Sequence, residues 1–358
     1  MNFKKLLLAG LAVLALPVGS GLAAQAAGAE ESHFYRLEKV TPLKGAEPGW
    51  DYVTLDAARQ LLFIGRREEG VTVFDIASNA IKTTIENSKQ ANHTALIPEV
   101  DRGYTTNEDG TSTVFQLSTL KTIDRIKLGE DADAGFYEPV TKQIVFTQGD
   151  SKSFVFLDAK SGKIIGKLAT ESSKLDGTVP DGKGALFTAE RDRNSVLKID
   201  AKARKVVSEW KTEGCEQPTG IAFDAAHKRL FIGCRTAKPV LLVMDSDTGK
   251  PIASVEIGRG NDGVIYDAET KKIYTSNGVD GNLVIIDQLD ADTYKLEEAV
   301  TTRPSARTMA MDPKSKKIYM ITAEGVVDPA KKINKAVAPF YPNTYYDDSF
   351  VVLTYARQ

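Results

Sequence analysis

One unit of sequence repeats seven times along this chain, and that repetition limits the fold more than any other feature. A turn led by Asp56, Pro98, Glu138, Asp181, Asp224, Asp267 and Asp312 recurs at intervals of 40 to 45 residues. The copy from Gly220 to Gly258 shows the unit most plainly. It holds four short apolar or alternating runs, GIAF, RLFIG, VLLVMD and PIASVEIG, separated by turns such as DAAHK and DSDTGK. Runs of this length between Gly-, Asp- and Lys-containing turns read as the antiparallel strands of a meander. The aspartate that ends the third run is suited to accept hydrogen bonds from the turn backbone. Four-stranded units of about 40 residues, seven in a row, predict an all-β chain folded as a seven-bladed β-propeller.

The last unit lacks one strand. It supplies TMAM, KIYMIT and, after an insertion, FVVLTY, and the repeat then stops. HFYRLEKV, near the other end, has the pattern of the missing strand. Donated to the last blade, it closes the ring and removes an exposed edge. The expected organisation is a signal peptide over residues 1–29 and a single propeller over 30–358, with an insertion at 323–349.

The first residues point to export. MNFKK is basic, LLLAGLAVLALPV is apolar, and GLAAQAAGA supplies small residues. Ala24 with Ala26, or Ala27 with Ala29, gives an A-x-A cleavage site near 26–29, the pattern of a secretory signal peptide. A periplasmic or secreted protein is expected, with no later segment apolar enough to span a bilayer. The formal charge is −2, or about −4 once Lys4 and Lys5 leave with the signal. A dedicated nucleic-acid binder usually carries a strong basic excess, so that class is disfavoured. Cys215 and Cys234, the two cysteines, can form one bridge in an oxidising compartment. Folding the first hairpin of the fifth unit about its turn brings them together and predicts that disulfide.

YTTN (Tyr104 to Asn107) differs by one residue, and YTSN (Tyr274 to Asn277) by two, from Tyr-Val-Thr-Asn. With the stretch CEQPTGIAFDAAHKRLFIGC, they make the chain resemble the exported bacterial YVTN-repeat propellers, related to WD40- and lactonase-like propellers. The resemblance covers essentially the whole chain after the signal and implies the propeller fold. Related propellers include lactonases and the haem-binding domain of a nitrite reductase, but an activity transfers only with its own site.

In a propeller the first strand of each blade lines the central channel. Aligned on the seven turns, the strand-entry residues are Asp51, His93, Asp133, Asp176, Thr219, Asp262 and Arg307. They form a polar ring at one rim, and the reading is an acidic one. Four carboxylates repel one another unless something offsets them, and a cation is the simplest offset. Calcium or another hard divalent cation suits aspartate and water ligands, with Asp133 and Asp176 as candidate metal ligands. Three histidines, of which only His93 maps to the rim, do not make a zinc or copper site. Equally, polar residues at strand starts are ordinary in a water-filled channel. The ends of the second strands, Arg66, Asn107, Gln148, Glu190, Cys234, Asn277 and Thr322, form a second expected ring at this rim. The insertion, through Phe340, Tyr341, Tyr345 and Tyr346, together with Trp50, offers aromatic surface over the funnel. The same aromatics equally suit pinning the loop to its own blade.

Turns on the opposite face carry Arg59, Lys142, Lys183, Lys228, Lys271 and Lys316 among interleaved carboxylates, and read as solvated. No G-x-S-x-G, H-E-x-x-H, P-loop or C-x-x-C-H motif occurs. The favoured function is therefore a monomeric, non-catalytic propeller that binds a small molecule, cation or protein partner at the rim. Its ligand residues would be Asp51, His93, Asp133, Asp176, Asp262, Arg307, Trp50, Tyr345 and Tyr346. The alternatives are a lactonase- or lyase-type enzyme using His93, Arg307 and a rim aspartate, and an envelope-associated scaffold.

Overall fold

A computed structural model describes residues 34–46, 48–333 and 341–358. The expected signal peptide, His33 and Phe340 lie outside these residues. Seven four-stranded antiparallel sheets follow one another in sequence order. Blade 1 is Trp50–Asp56, Leu61–Arg66, Gly70–Asp75 and Ala80–Thr84; blades 2 to 6 repeat the meander. Blade 7 runs inward to outward in the reverse sense from its closing strand: Tyr35–Pro42 pairs with Val351–Arg357, then Ile318–Thr322, then Met309–Met311. The ring is thus closed by a strand from the other end of the chain, as its sequence pattern predicts.

Burial explains the strand composition. Second and third strands pack on both faces, so Leu61–Arg66 and Gln143–Gln148 are buried at every position. Outer strands face solvent, and Ala80–Thr84 has no buried residue. Seven apolar clusters lie at the seven junctions between blades. Phe63 and Phe115 stack between blades 1 and 2, and Phe187 and Phe223 pack between blades 4 and 5. Turn aspartates act locally: Asp75, Asp158 and Asp245 each accept a backbone N–H three residues on, from Ser78, Ser161 and Thr248.

Two irregularities recur. In every blade the pairing of the third strand with the outer strand slips by a bulge. A bulged edge is a poor template for a further strand. The second irregularity lies at the start of the inner strands and shapes the channel mouth.

Cys215 and Cys234 form a disulfide with Cα atoms 5.4 Å apart, and both are buried. It ties the loop entering blade 5 to the end of that blade's second strand. A closed loop of this size is worth about 3 kcal/mol in the chain-entropy account. The double variant Cys215→Ala/Cys234→Ala is expected to melt roughly 4 °C lower by calorimetry. An unchanged melting temperature would show the link to be dispensable.

Candidate functional site

In six blades the inner strand carries one extra residue near its start. Trp50 opposes Arg66 while Val53 opposes Ile64, and blades 2 to 6 show the same slip. A bulge re-aims the side chain beside it. Here it turns Asp51, Asp133, Asp176 and Asp262 toward one mouth of the channel, where Arg307 joins them from blade 7. They line a cavity of about 330 Å³. These five ring positions stand where the repeat alignment puts them.

The register corrects blade 2. Its inner strand ends at Ile97, paired with Arg102, and Pro98 begins a short 3₁₀ turn. Aligning on Pro98 therefore shifts the blade by one residue. The ring member is Asn92, and its amide oxygen accepts from Arg67 Nε at 3.1 Å. His93 lies one step deeper and lines an apolar pocket, with Ala57, Ala58, Pro98 and Phe136, at the opposite mouth. Gly135 N–H donates to its Nδ1 at 3.2 Å, so Nε2 carries the proton and faces Thr54 Oγ1 at 3.3 Å. Burial pushes the imidazole down to about 4. His93 and Arg307 are not brought to one rim. Thr219 is fully buried, and its hydroxyl donates to Gln217 O rather than facing the funnel.

The expected second ring is inverted. Arg66, Asn107, Gln148, Glu190, Cys234, Asn277 and Thr322 are all buried inside the blades. Strand side chains alternate, so the next residue points the other way. That residue is an arginine in three blades: Arg67, Arg191 and Arg235 all line the funnel. Arg67 pairs with Asp51 at 3.3 Å, Arg191 with Asp176 at 3.1 Å and Arg235 with Asp262 at 2.9 Å. Arg307 bridges Asp51 at 3.2 Å and Asp262 at 2.8 Å, and also donates to Trp50 O.

The rim is therefore not acidic. Asp51, Asp131, Asp133, Asp176 and Asp262 are matched by Arg67, Lys174, Arg191, Arg235 and Arg307. The repulsion that made a calcium-like cation attractive is met by guanidinium groups. Among the described residues no group of three or more His, Cys, Asp or Glu side chains is arranged to hold a metal ion. Asp176, one of the two candidate metal ligands, is engaged with Arg191.

Asp133 differs from its neighbours. Among the described residues no cation pairs with its carboxylate. Burial, with Asp51, Asp176, Asp131 and Asp262 nearby, holds it well above the usual carboxylate range. Burial likewise lifts Asp176 to about 6, with Arg191 opposing. Tyr52 lines the same cavity and contacts the His93 ring edge-on at 5.0 Å between centroids. Burial and then the carboxylates of Asp176, Asp133, Asp51 and Asp262 raise its hydroxyl well above the ordinary value. Tyr52 thus stands between the polar funnel and the apolar mouth beneath.

The aromatic residues divide. Trp50 is 3 % exposed and packs edge-on against Tyr345 and Phe350, in the apolar cluster between blades 1 and 7. Tyr345 hydroxyl lies 2.9 Å from Ser305 Oγ. The contact of Trp50 with Tyr345 pins the insertion over the junction of blades 7 and 1. Tyr346 is 50 % exposed and is not among the cavity-lining residues, whereas Tyr341 is.

No protein-family profile matches the chain. Three curated relatives do. The uncharacterized protein YncE of Salmonella typhi and that of Salmonella typhimurium are each 27 % identical over 208 residues. The chain is similar to YncE over a little more than half its length. The alignment covers 56 % of this chain and 57 % of each Salmonella protein. YncE of Escherichia coli K12 is 29 % identical over 145 residues, covering 38 % of this chain and 40 % of that protein. Among solved structures, a chain of the mitotic checkpoint complex superposes with a TM-score of 0.69 at 14 % identity, over 87 % of this chain and 95 % of that one. A chain of Kuenenia stuttgartiensis hydrazine synthase superposes with a TM-score of 0.66 at 16 % identity, over 78 % and 94 %. At such identities the likeness is one of fold. With the sheet order, it establishes an all-β, seven-bladed propeller and nothing about activity.

Proposed function

We propose that this protein is an exported, non-catalytic propeller whose funnel binds a small polar ligand. The observation that carries the reading is the convergence of ten charged side chains, from the bulged inner strands, the segments leading into the inner strands and the residues after the second strands, on one cavity. Charges in fixed, paired positions inside a concavity give orientation and specificity to a polar ligand. Among the described residues no serine, cysteine or histidine lines the funnel, and its arginines are engaged by aspartates. The His93–Arg307 enzyme therefore lacks a supporting arrangement. The N-terminal basic, apolar and small-residue pattern supports export to the periplasm or beyond.

Amide NMR spectra recorded with the small-molecule fraction of a periplasmic extract test this. Shifts should cluster at Tyr52, Gly149 and Leu175, and Asp176→Asn with Arg191→Gln should weaken them by about tenfold in ligand concentration. Shifts confined to the blade edges or to the apolar mouth would sink the funnel as the site. Protein from a periplasmic fraction should begin between residues 25 and 30 on N-terminal sequencing; an intact Met1 would remove the export part of the reading.

A further inference from the structure

Among the described residues, every ring aspartate but Asp133 has a guanidinium partner. In blades 1 and 4, the residue after the second strand is an arginine that pairs with that blade's own ring aspartate, Arg67 with Asp51 and Arg191 with Asp176. Asp262 of blade 6 receives its guanidinium groups from Arg235 and Arg307 of the flanking blades. In blade 3 the corresponding residue is Gly149, and Asp133 has no cationic partner among the described residues. Gly149 also lines the cavity. A Cβ placed on it would point at Asp131 Oδ2, only 2.5 Å away. Where blades 1 and 4 hold a guanidinium, blade 3 leaves that space to the Asp131 carboxylate, so two carboxylates with no cationic partner among the described residues line the cavity there.

We propose that a cationic group of the ligand, a primary ammonium or a guanidinium, enters the cavity on this side and pairs with Asp133 and Asp131. This rests on the funnel reading above and specifies its ligand class as an organic amine or guanidine. An organic cation fits better than a bare metal ion. The neighbouring carboxylates Asp51, Asp176 and Asp262 are already held by arginines and are not free to complete a coordination shell. A charge-assisted pair in a partly desolvated site is worth about 1.5–3 kcal/mol, roughly ten- to hundredfold in affinity. Asp133 faces Asp51, Asp131, Asp176 and Asp262, with Arg191 and the Tyr52 hydroxyl within electrostatic reach. These surroundings favour a proton on Asp133 in the free protein. Pairing with a cation favours the ionised form, so binding releases that proton and tightens as pH rises.

Calorimetric titration with putrescine, L-arginine and succinate tests the assignment. Putrescine and L-arginine are expected to bind, more tightly at pH 8 than at pH 5.5, and succinate is not. Asp133→Asn should weaken both amines by about tenfold or more. This variant should melt no lower than about 3 °C below the parent, which separates lost binding from lost fold. Equal amine affinity in the parent and Asp133→Asn, or no amine binding up to about 10 mM, overturns the inference. If succinate binds instead, with amide shifts at Tyr52 and Leu175, the funnel remains a ligand site and only the cationic class is wrong. If amines bind but shift only residues outside the funnel, both readings fall together.

Discussion

A chain lacking residues 34–42 is expected to lose its cooperative melting transition, or to melt at least roughly 10 °C lower, and to aggregate. The strand Tyr35–Pro42 is the outer strand of blade 7, paired along its length with Val351–Arg357. Its removal leaves the N–H and C=O groups of Val351–Arg357 unpaired at a fresh edge. It also removes Tyr35, 2 % exposed, which packs edge-on against Tyr274 of blade 6 and donates to Lys316 O at 2.8 Å. Truncating one buried aromatic costs about 3–5 kcal/mol, and here the backbone ladder goes with it. A synthetic peptide of residues 34–43 added in trans should restore part of the transition. A truncated protein that stays monodisperse on gel filtration and melts like the parent would show that the ring is held by its blade junctions alone.

The second large effect centres on Arg307. Burial opposes its charge, but Asp51 and Asp262 overcome that and keep the guanidinium protonated. Arg307→Ala is expected to destabilise the fold by about 3 kcal/mol, because two poorly hydrated carboxylates lose a shared partner. The cost is no larger because Arg67 and Arg235 remain beside them. The triple variant Arg307→Met, Asp51→Asn, Asp262→Asn should recover most of the loss in denaturant unfolding. If it does not, the damage comes from lost packing against Trp50 rather than from exposed charge. Arg307 is thus a structural tie between blades 7, 1 and 6 that also borders the cavity.

The fold was legible because repetition is a strong signal. Seven turns at nearly even spacing, strands of constant length and one missing strand define a ring with little ambiguity. The site was legible only in part, because side chains on a strand change sides with each residue. Asp51, Asp133, Asp176, Asp262 and Arg307 lie where the alignment places them. His93 was displaced by a single residue, since the 3₁₀ turn at Pro98 mimics the first turn of the other units. The same one-residue parity hid Arg67, Arg191 and Arg235 behind the buried Arg66, Glu190 and Cys234. Three arginines recurring at one repeat position are visible in the sequence. What the sequence does not display is the bulge that sets which of two adjacent residues meets the channel. The disulfide was accessible because hairpin geometry depends on distance along the strands rather than on facing.

The slipped pairing along the outer strand of all seven blades bears on how such a chain survives crowding. Tandem β repeats are natural seeds for fibres, since any flat border invites a neighbour to continue the ladder. A kinked perimeter denies that invitation at every spoke of the wheel. Visitors are then left with the two flat sides of the disc, and among the described residues it is the side bearing Asp133 that opens onto a basin of fixed charge.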